Sequence, residues 1–151
     1  MEESLFSWLH ISDLHFGQPH RDPLKLIRDQ LLRAAQEHDL YGIPPPDAIF
    51  VTGDVTYSGA SEDYAQATTW LKLMGMPWRL GPDSIFVVPG NHDIQRDVVE
   101  PDGPLSSILT ALRETVAGNT WNLFANNDTR VNLMSRLANY LTFSASFAHS
   151  S

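Results

Sequence analysis

The sequence predicts an α/β domain built on parallel strands and followed by further helices. Three observations carry this reading. Three short apolar runs, at about residues 7–12, 47–53 and 84–89, are rich in β-forming residues and each stops at polar residues or glycine. The two stretches between them, about 23–38 and 62–74, repeat their apolar residues at helical spacing. Strand and helix therefore alternate, which implies neighbouring parallel strands joined by right-handed crossovers.

The first strand is Ser7 to Ile11, and it runs into a polar loop, Ser12-Asp13-Leu14-His15-Phe16-Gly17. His10, inside the strand, reads as a packing residue. His20, in the loop that follows, is a candidate for facing substrate. Asp22-Pro23 opens a helix, with Asp as N-cap and Pro at the first helical position. Leu24, Ile27, Leu31 and Ala34 or Ala35 form its expected apolar face. His38, near the helix end, reads as an exposed residue beside the negative end of the dipole. Gly42 and Pro44-Pro45-Pro46 make a stiff connection to the second strand, Asp47 to Thr52, which ends in Gly53-Asp54. Ser61 is expected to cap the next helix, with Glu62 and Asp63 in its first turn. Tyr64, Ala67, Leu71 and Met74 share a face with Trp70 alongside, and Gly75 and Pro77 end the helix.

Ile85 to Val88 is the third strand. Pro89-Gly90 closes it, and Asn91, His92 and Asp93 follow in immediate succession, three polar side chains better placed for chemistry than for packing. Strand signals then cease. Pro104 to Val116 carries Leu105, Ile108, Leu109 and Leu112 at helical spacing, and a second helical stretch starts at Asp128 with Met134, Leu137 and Leu141 on one face. Residues 100–103 and 118–127 read as linkers. The chain reads as one domain, 1–151, with a core at 7–93 and a helical extension at 104–142. Phe143 onward has no periodicity, and His149 reads as a solvated tail residue.

A chain of 151 residues buries roughly 68–70% of its unfolded surface. No cysteine occurs, which excludes disulfides and thiolate metal sites. The N-terminus lacks a basic region followed by an apolar one, and no apolar run approaches a membrane span, so a soluble, cytoplasmic protein without a membrane partner is expected. Ten Lys+Arg against eighteen Asp+Glu give a formal charge of −8, which disfavours binding nucleic acid through its phosphates. A phosphate substrate remains compatible, because bound divalent cations reverse the local field.

The strand ends carry the chemistry. Asp13 and His15 follow the first strand, Asp54 the second, and Asn91 with His92 the third. Parallel neighbours bring such ends to one edge of a sheet, where ligands bind. Carboxylate, imidazole and amide oxygen suit Mn, Fe or Zn. A carboxylate such as Asp54 is able to bridge two cations, and two ions about 3.5–4 Å apart generate a hydroxide and neutralise a phosphoryl group. A given tetrapeptide such as Gly-Asn-His-Asp arises by chance in about one chain in a thousand of this length, and two further motifs in order make coincidence rarer still.

Asp-x-His, then Gly-Asp, then Gly-Asn-His-Asp resembles the signature of the calcineurin-like metallophosphoesterases, over about residues 7 to 93. The resemblance implies a hydrolase on the parallel-sheet half of an α/β/β/α sandwich, acting on a phosphodiester or phosphomonoester, such as a nucleotide, through two divalent metals. It implies that Asp13 and His15 hold the first metal, that Asp54 bridges, that Asn91 holds the second, and that His92 serves the leaving-group oxygen as acid or charge stabiliser. Gly53-Asp54-Val55-Thr56-Tyr57 lacks the Asp-Arg-Gly of the Ser/Thr protein phosphatases, and Asp93 stands where those enzymes have Glu; the bacterial phosphodiesterase branch is closer. The family's later Gly-His-x-His motif does not occur. The chain therefore reads as the N-terminal part of a longer domain, holding fewer than two tight metals and completed by a C-terminal half or partner chain. A degenerate regulatory module of a larger signalling protein and a nuclease of the same superfamily are the alternatives.

Overall fold

β-branched and aromatic side chains alternate along three short strands, so each strand offers one face to a core and one away from it. In the computed structural model, which describes residues 5–19, 22–96, 99, 103–114 and 124–147, these are β1 (Trp8–Ile11), β2 (Ala48–Thr52) and β3 (Ile85–Val88). They form one parallel sheet in the order β1-β2-β3, with Ile11 opposite Val51 and Val51 opposite Val87. Ile11, Ile49, Val51 and Ile85 face the core. On the other face Trp8, Phe50 and Phe86 stand in an aromatic row, with Trp8 edge-on to Phe50 and Phe50 stacked on Phe86. The expected α/β class and parallel sheet are what the structure shows, with strand ends within about two residues of the sequence reading.

Helix α1 (Leu24–Gln36) is capped as the sequence suggests, because Asp22 Oδ1 accepts from the Leu24 and Lys25 amides at 3.0 and 3.1 Å. Its buried face differs. Ile27 is 54% exposed, while Arg28 and Ala35 are buried and Leu31 and Leu32 pack at the core's margin. His38 is also buried rather than exposed. The helix ends before it, and a 3₁₀ turn (His38–Tyr41) carries its ring against Trp78, with Nδ1 3.0 Å from the Ile43 carbonyl. His10 lies on the exposed face of β1 instead of packing, with its ring nitrogen 2.6 Å from Thr52 Oγ1. Helix α2 (Ser61–Gly75) buries Tyr64, Ala67, Trp70, Leu71 and Met74 as expected. Ser61 is its first residue; Ala60 occupies the cap position and supplies no side-chain bond.

After β3 come α3 (Pro104–Glu114), α4 (Asn127–Ser135) and α5 (Ala138–Ala145). The expected single helix from Asp128 is thus two. Asn126 caps α4 by accepting from the Thr129 amide, and the chain breaks at Arg136, whose carbonyl accepts from the Gln95 amide at 2.9 Å instead of continuing a helix. The buried residues are Thr129, Tyr140 and Phe143, while Met134 and Leu141 face outward. The Tyr140 hydroxyl donates to the Val87 carbonyl at the outer edge of β3. None of the helices described is long and apolar enough to cross a membrane.

Candidate metal centre

The loops leaving the carboxyl ends of β1, β2 and β3 continue the parallel pairing beyond the strands. The amides of Asp13, His15 and Phe16 donate to the carbonyls of Gly53, Asp54 and Val55 at 3.2, 2.9 and 3.0 Å. The Tyr57 amide returns to Phe16 O at 2.8 Å, and the Gly53 amide reaches Val88 O at 3.0 Å. Three of the residues so held take left-handed backbone conformations that non-glycine residues avoid: Asp13 (φ 56°), His15 (φ 45°) and Asp54 (φ 52°). Such strain persists where surroundings over-determine the backbone, and it clusters at functional sites.

Their side chains converge. Ligand atoms of Asp13, His15 and Asp54 all lie within 4.8 Å of one another. His15 Nε2 is 3.9 Å from Asp13 Oδ1 and 4.0 Å from Asp54 Oδ2. These separations are too long for hydrogen bonds, so the three side chains converge without closing on one another. His15 Nδ1 is buried with no hydrogen-bond partner among the described residues. Two carboxylates and an imidazole facing one point without closing on each other fit a divalent cation.

Loops two and three approach at backbone distance. A Cβ on Gly90 would stand 2.2 Å from Asp54 Oδ1 and 2.4 Å from its amide nitrogen, so no other residue fits there. Asp54 Oδ1 accepts from the His92 amide at 2.9 Å, which leaves Oδ2 as the oxygen that faces His15. Asn91 is exposed and lies between the two residues that touch Asp54. The His92 ring sits edge-on to His15 with centroids 4.8 Å apart. Its Nδ1 is 2.9 Å from the Tyr57 carbonyl, which only accepts, so Nδ1 carries the proton and Nε2 is the nitrogen left for other chemistry.

Asp93 departs from the sequence reading. It is 0% exposed, and its carboxylate is taken up by donors of the protein itself. Oδ1 accepts from the Thr56 amide, the Thr56 hydroxyl and the Tyr64 hydroxyl at 2.9, 3.2 and 3.2 Å, and Oδ2 from the Val55 and Gly90 amides at 3.1 and 2.9 Å. It clasps loop three to loop two from beneath. Burial, and then the Asp93 charge, push the Tyr64 phenol far up, which keeps it a donor. The charge was visible in the sequence; its partners, mostly backbone amides, were not.

Of the sequence-derived candidates, Asp13, His15, Asp54 and His92 meet at one edge, with Asn91 in the same loop. His10 and His38 are placed elsewhere, and His20 and His149 lie outside the described residues. Arg28 was missed. Its spacing from Leu24, Leu31 and Ala35 was the signal, since these positions share one helical face.

A sequence profile of the calcineurin-like phosphoesterases matches residues 6–145. The chain belongs to this family. A metallophosphoesterase-like protein of Bacillus subtilis, YydB, whose own role is uncharacterised, is 35% identical over 98 residues, which is 60% of this chain and 18% of that protein. The glycerophosphodiester phosphodiesterase GpdQ of Enterobacter lignolyticus is 31% identical over 97 residues, 64% of this chain and 32% of the enzyme. A probable GpdQ of Arcobacter nitrofigilis is 38% identical over 50 residues, 33% of this chain and 16% of that protein. The chain thus spans less than a third of the length of these relatives. Membership supports, at the level of the family, a hydrolase of phosphate esters that uses divalent metal, and Asp13, His15 and Asp54 form a group able to hold such an ion.

Proposed function

We propose that this chain carries the first half of a two-metal phosphodiesterase or phosphomonoesterase centre. The observation that carries the reading is the convergence of Asp13, His15 and Asp54, each on strained backbone, at the carboxyl edge of the sheet. Asp13 and His15 would hold one divalent ion, Asp54 would bridge through Oδ2, and Asn91 would serve a second ion from loop three. Mn, Fe and Zn all suit this oxygen and nitrogen donor set. Divalent ions bound there supply Lewis acidity toward a phosphoryl oxygen and a hydroxide at neutral pH.

The chain's own residues do the rest. Asp54, with Oδ1 fixed by the His92 amide, presents a single oriented oxygen. His92, with Nδ1–H fixed by the Tyr57 carbonyl, would in its doubly protonated form offer Nε2–H to the leaving-group oxygen, giving up that proton as acid or stabilising the charge that develops there. The names of the GpdQ relatives favour a phosphodiester as substrate, and a nucleotide has the same chemistry. The further ligands that two ions need would come from a C-terminal portion or partner chain, and the exposed aromatic face of the sheet is a surface on which a second layer would pack.

In whatever form of the protein is active, Asp54→Ala and His92→Ala separate these roles. With Asp54→Ala, metal content and turnover should fall together. With His92→Ala, metal content should hold while turnover drops by about 10²–10⁴-fold on a poor leaving group, and far less on a p-nitrophenyl ester. Loss of metal in His92→Ala, or equal slowing of both substrates, overturns the assignment.

A further inference from the structure

A buried charge in α1 has no part in the chemistry above. Arg28 is 6% exposed. Its Nη1 donates to the Leu14 carbonyl at 2.5 Å, its Nη2 pairs with the Asp22 carboxylate, and its guanidinium carbon lies 4.3 Å from the centre of the Phe16 ring. Leu14 stands between Asp13 and His15, the two left-handed residues of loop one. Elsewhere this loop is held by main-chain bonds to the loop after β2, the Asp13, His15 and Phe16 amides donating and Phe16 O accepting from the Tyr57 amide. At Leu14 the hold is on the carbonyl, and a side chain from a different element supplies it.

We propose that Arg28 is a positioning residue for the metal centre, acting through the backbone of loop one. A left-handed conformation costs a non-glycine residue about 1–2 kcal/mol, so Asp13 and His15 relax unless something opposes them. Turning either residue toward ordinary backbone swings the peptide planes on both sides of Leu14. A planar guanidinium, fixed by Asp22 on one fork and stacked on Phe16, holds the Leu14 carbonyl where a flexible cation would not. Asp22 in turn caps α1, so helix start, arginine and ligand loop form one chain of contacts.

The inference rests on the metal reading, and the test separates the two. Mn²⁺ binding is measured by calorimetry on the full chain, with thermal unfolding recorded in chelator for every variant. If the wild type binds no Mn²⁺ while Arg28 variants fold, the metal reading itself fails. If the wild type binds, Arg28→Met should weaken binding by about 10–100-fold, the range for groups that orient ligands, and Arg28→Lys by less. Asp22→Asn keeps the cap and the direct Arg28–Leu14 bond but removes the charge that fixes one fork of the guanidinium, so it should lower the melting temperature and weaken binding by less than Arg28→Met does. Arg28→Met added to Asp13→Ala/His15→Ala should change residual Mn²⁺ binding no further. Should Arg28→Met fail to fold, Arg28→Lys and Asp22→Asn decide. Arg28 variants that melt lower yet bind Mn²⁺ like wild type reduce Arg28 to a core ion pair and overturn the proposal. So does an equal loss of affinity in Asp22→Asn.

Discussion

Replacing Asp93 by Asn removes one charge and changes no other heavy-atom position. Five donors point at this carboxylate, three at Oδ1 and two at Oδ2. If the new amide keeps oxygen at Oδ1, its NH₂ confronts the Val55 and Gly90 amides, and two backbone donors lose their acceptor. If the amide flips, the Thr56 and Tyr64 hydroxyls turn to accept, and the Thr56 amide is left unpaired. The flipped state is cheaper, so at least one buried amide goes unsatisfied at about 1–3 kcal/mol, and the surviving bonds lose their charge assistance. Relief from burying a charge offsets part of this, which leaves a net cost of about 2–4 kcal/mol. At about 2–4 °C per kcal/mol for a chain of this size, the melting temperature should fall by roughly 4–16 °C. The assay is thermal unfolding by circular dichroism in chelator, with amide hydrogen exchange at Val55, Thr56 and Gly90. A melting temperature within about one degree of wild type, with those amides equally protected, would refute the clasp.

Other outcomes follow from strain, contact and burial. His15→Gly and His15→Ala both remove the imidazole and should both weaken Mn²⁺ binding, but Gly relieves the left-handed backbone and should be the more stable of the two by about 1 kcal/mol in urea titrations; an Ala variant as stable as Gly would show that φ 45° costs nothing. Gly90→Ala puts a methyl on the Asp54 carboxylate and amide, and should cut metal content measured by elemental analysis; unchanged content means the loops separate without harm to the site. Burial pushes the Asp63 carboxyl up against the opposing Ser58 hydroxyl, with Glu62 adding to the rise. The folded state thus favours the protonated acid, so this contribution is full below the ordinary carboxylate range and is lost as pH rises through the raised value. The stability of wild type relative to Asp63→Asn should therefore fall with rising pH across that window, as urea midpoints at several pH values will show; a flat difference contradicts it.

The sheet and α2 were legible because their patterns are local: Tyr64, Ala67, Leu71 and Met74 recur on one face, and nothing distant competes for them. Helix α1 misled at Ile27 because a long polar residue four places after Leu24 counts as solvent-facing until its partners, Leu14 and Asp22, are seen. The break at Arg136 was hidden for the same reason, since it answers to the Gln95 amide 41 positions away. At the centre, Asp13, His15 and Asp54 could be named from strand ends and spacing, whereas their left-handed backbones could not. Asp93 shows the converse limit. A carboxylate beside a histidine looks like chemistry, and main-chain amides that would occupy it leave no trace in side-chain identity.

Tyr140 has a consequence for how this sheet can grow. In a parallel sheet the carbonyls of an edge strand alternate between its neighbour and the outside. Val88 O is taken by Gly53, so Val87 O points outward, and there the Tyr140 phenol and α5 sit. A strand arriving beside β3 would have to dislodge that helix and break into the buried Tyr140–Phe143–Phe147 cluster. The β3 edge is therefore closed to further pairing by a side chain from a helix more than fifty positions away in the sequence, and the sheet cannot grow on that side without unseating the helix that packs its own core.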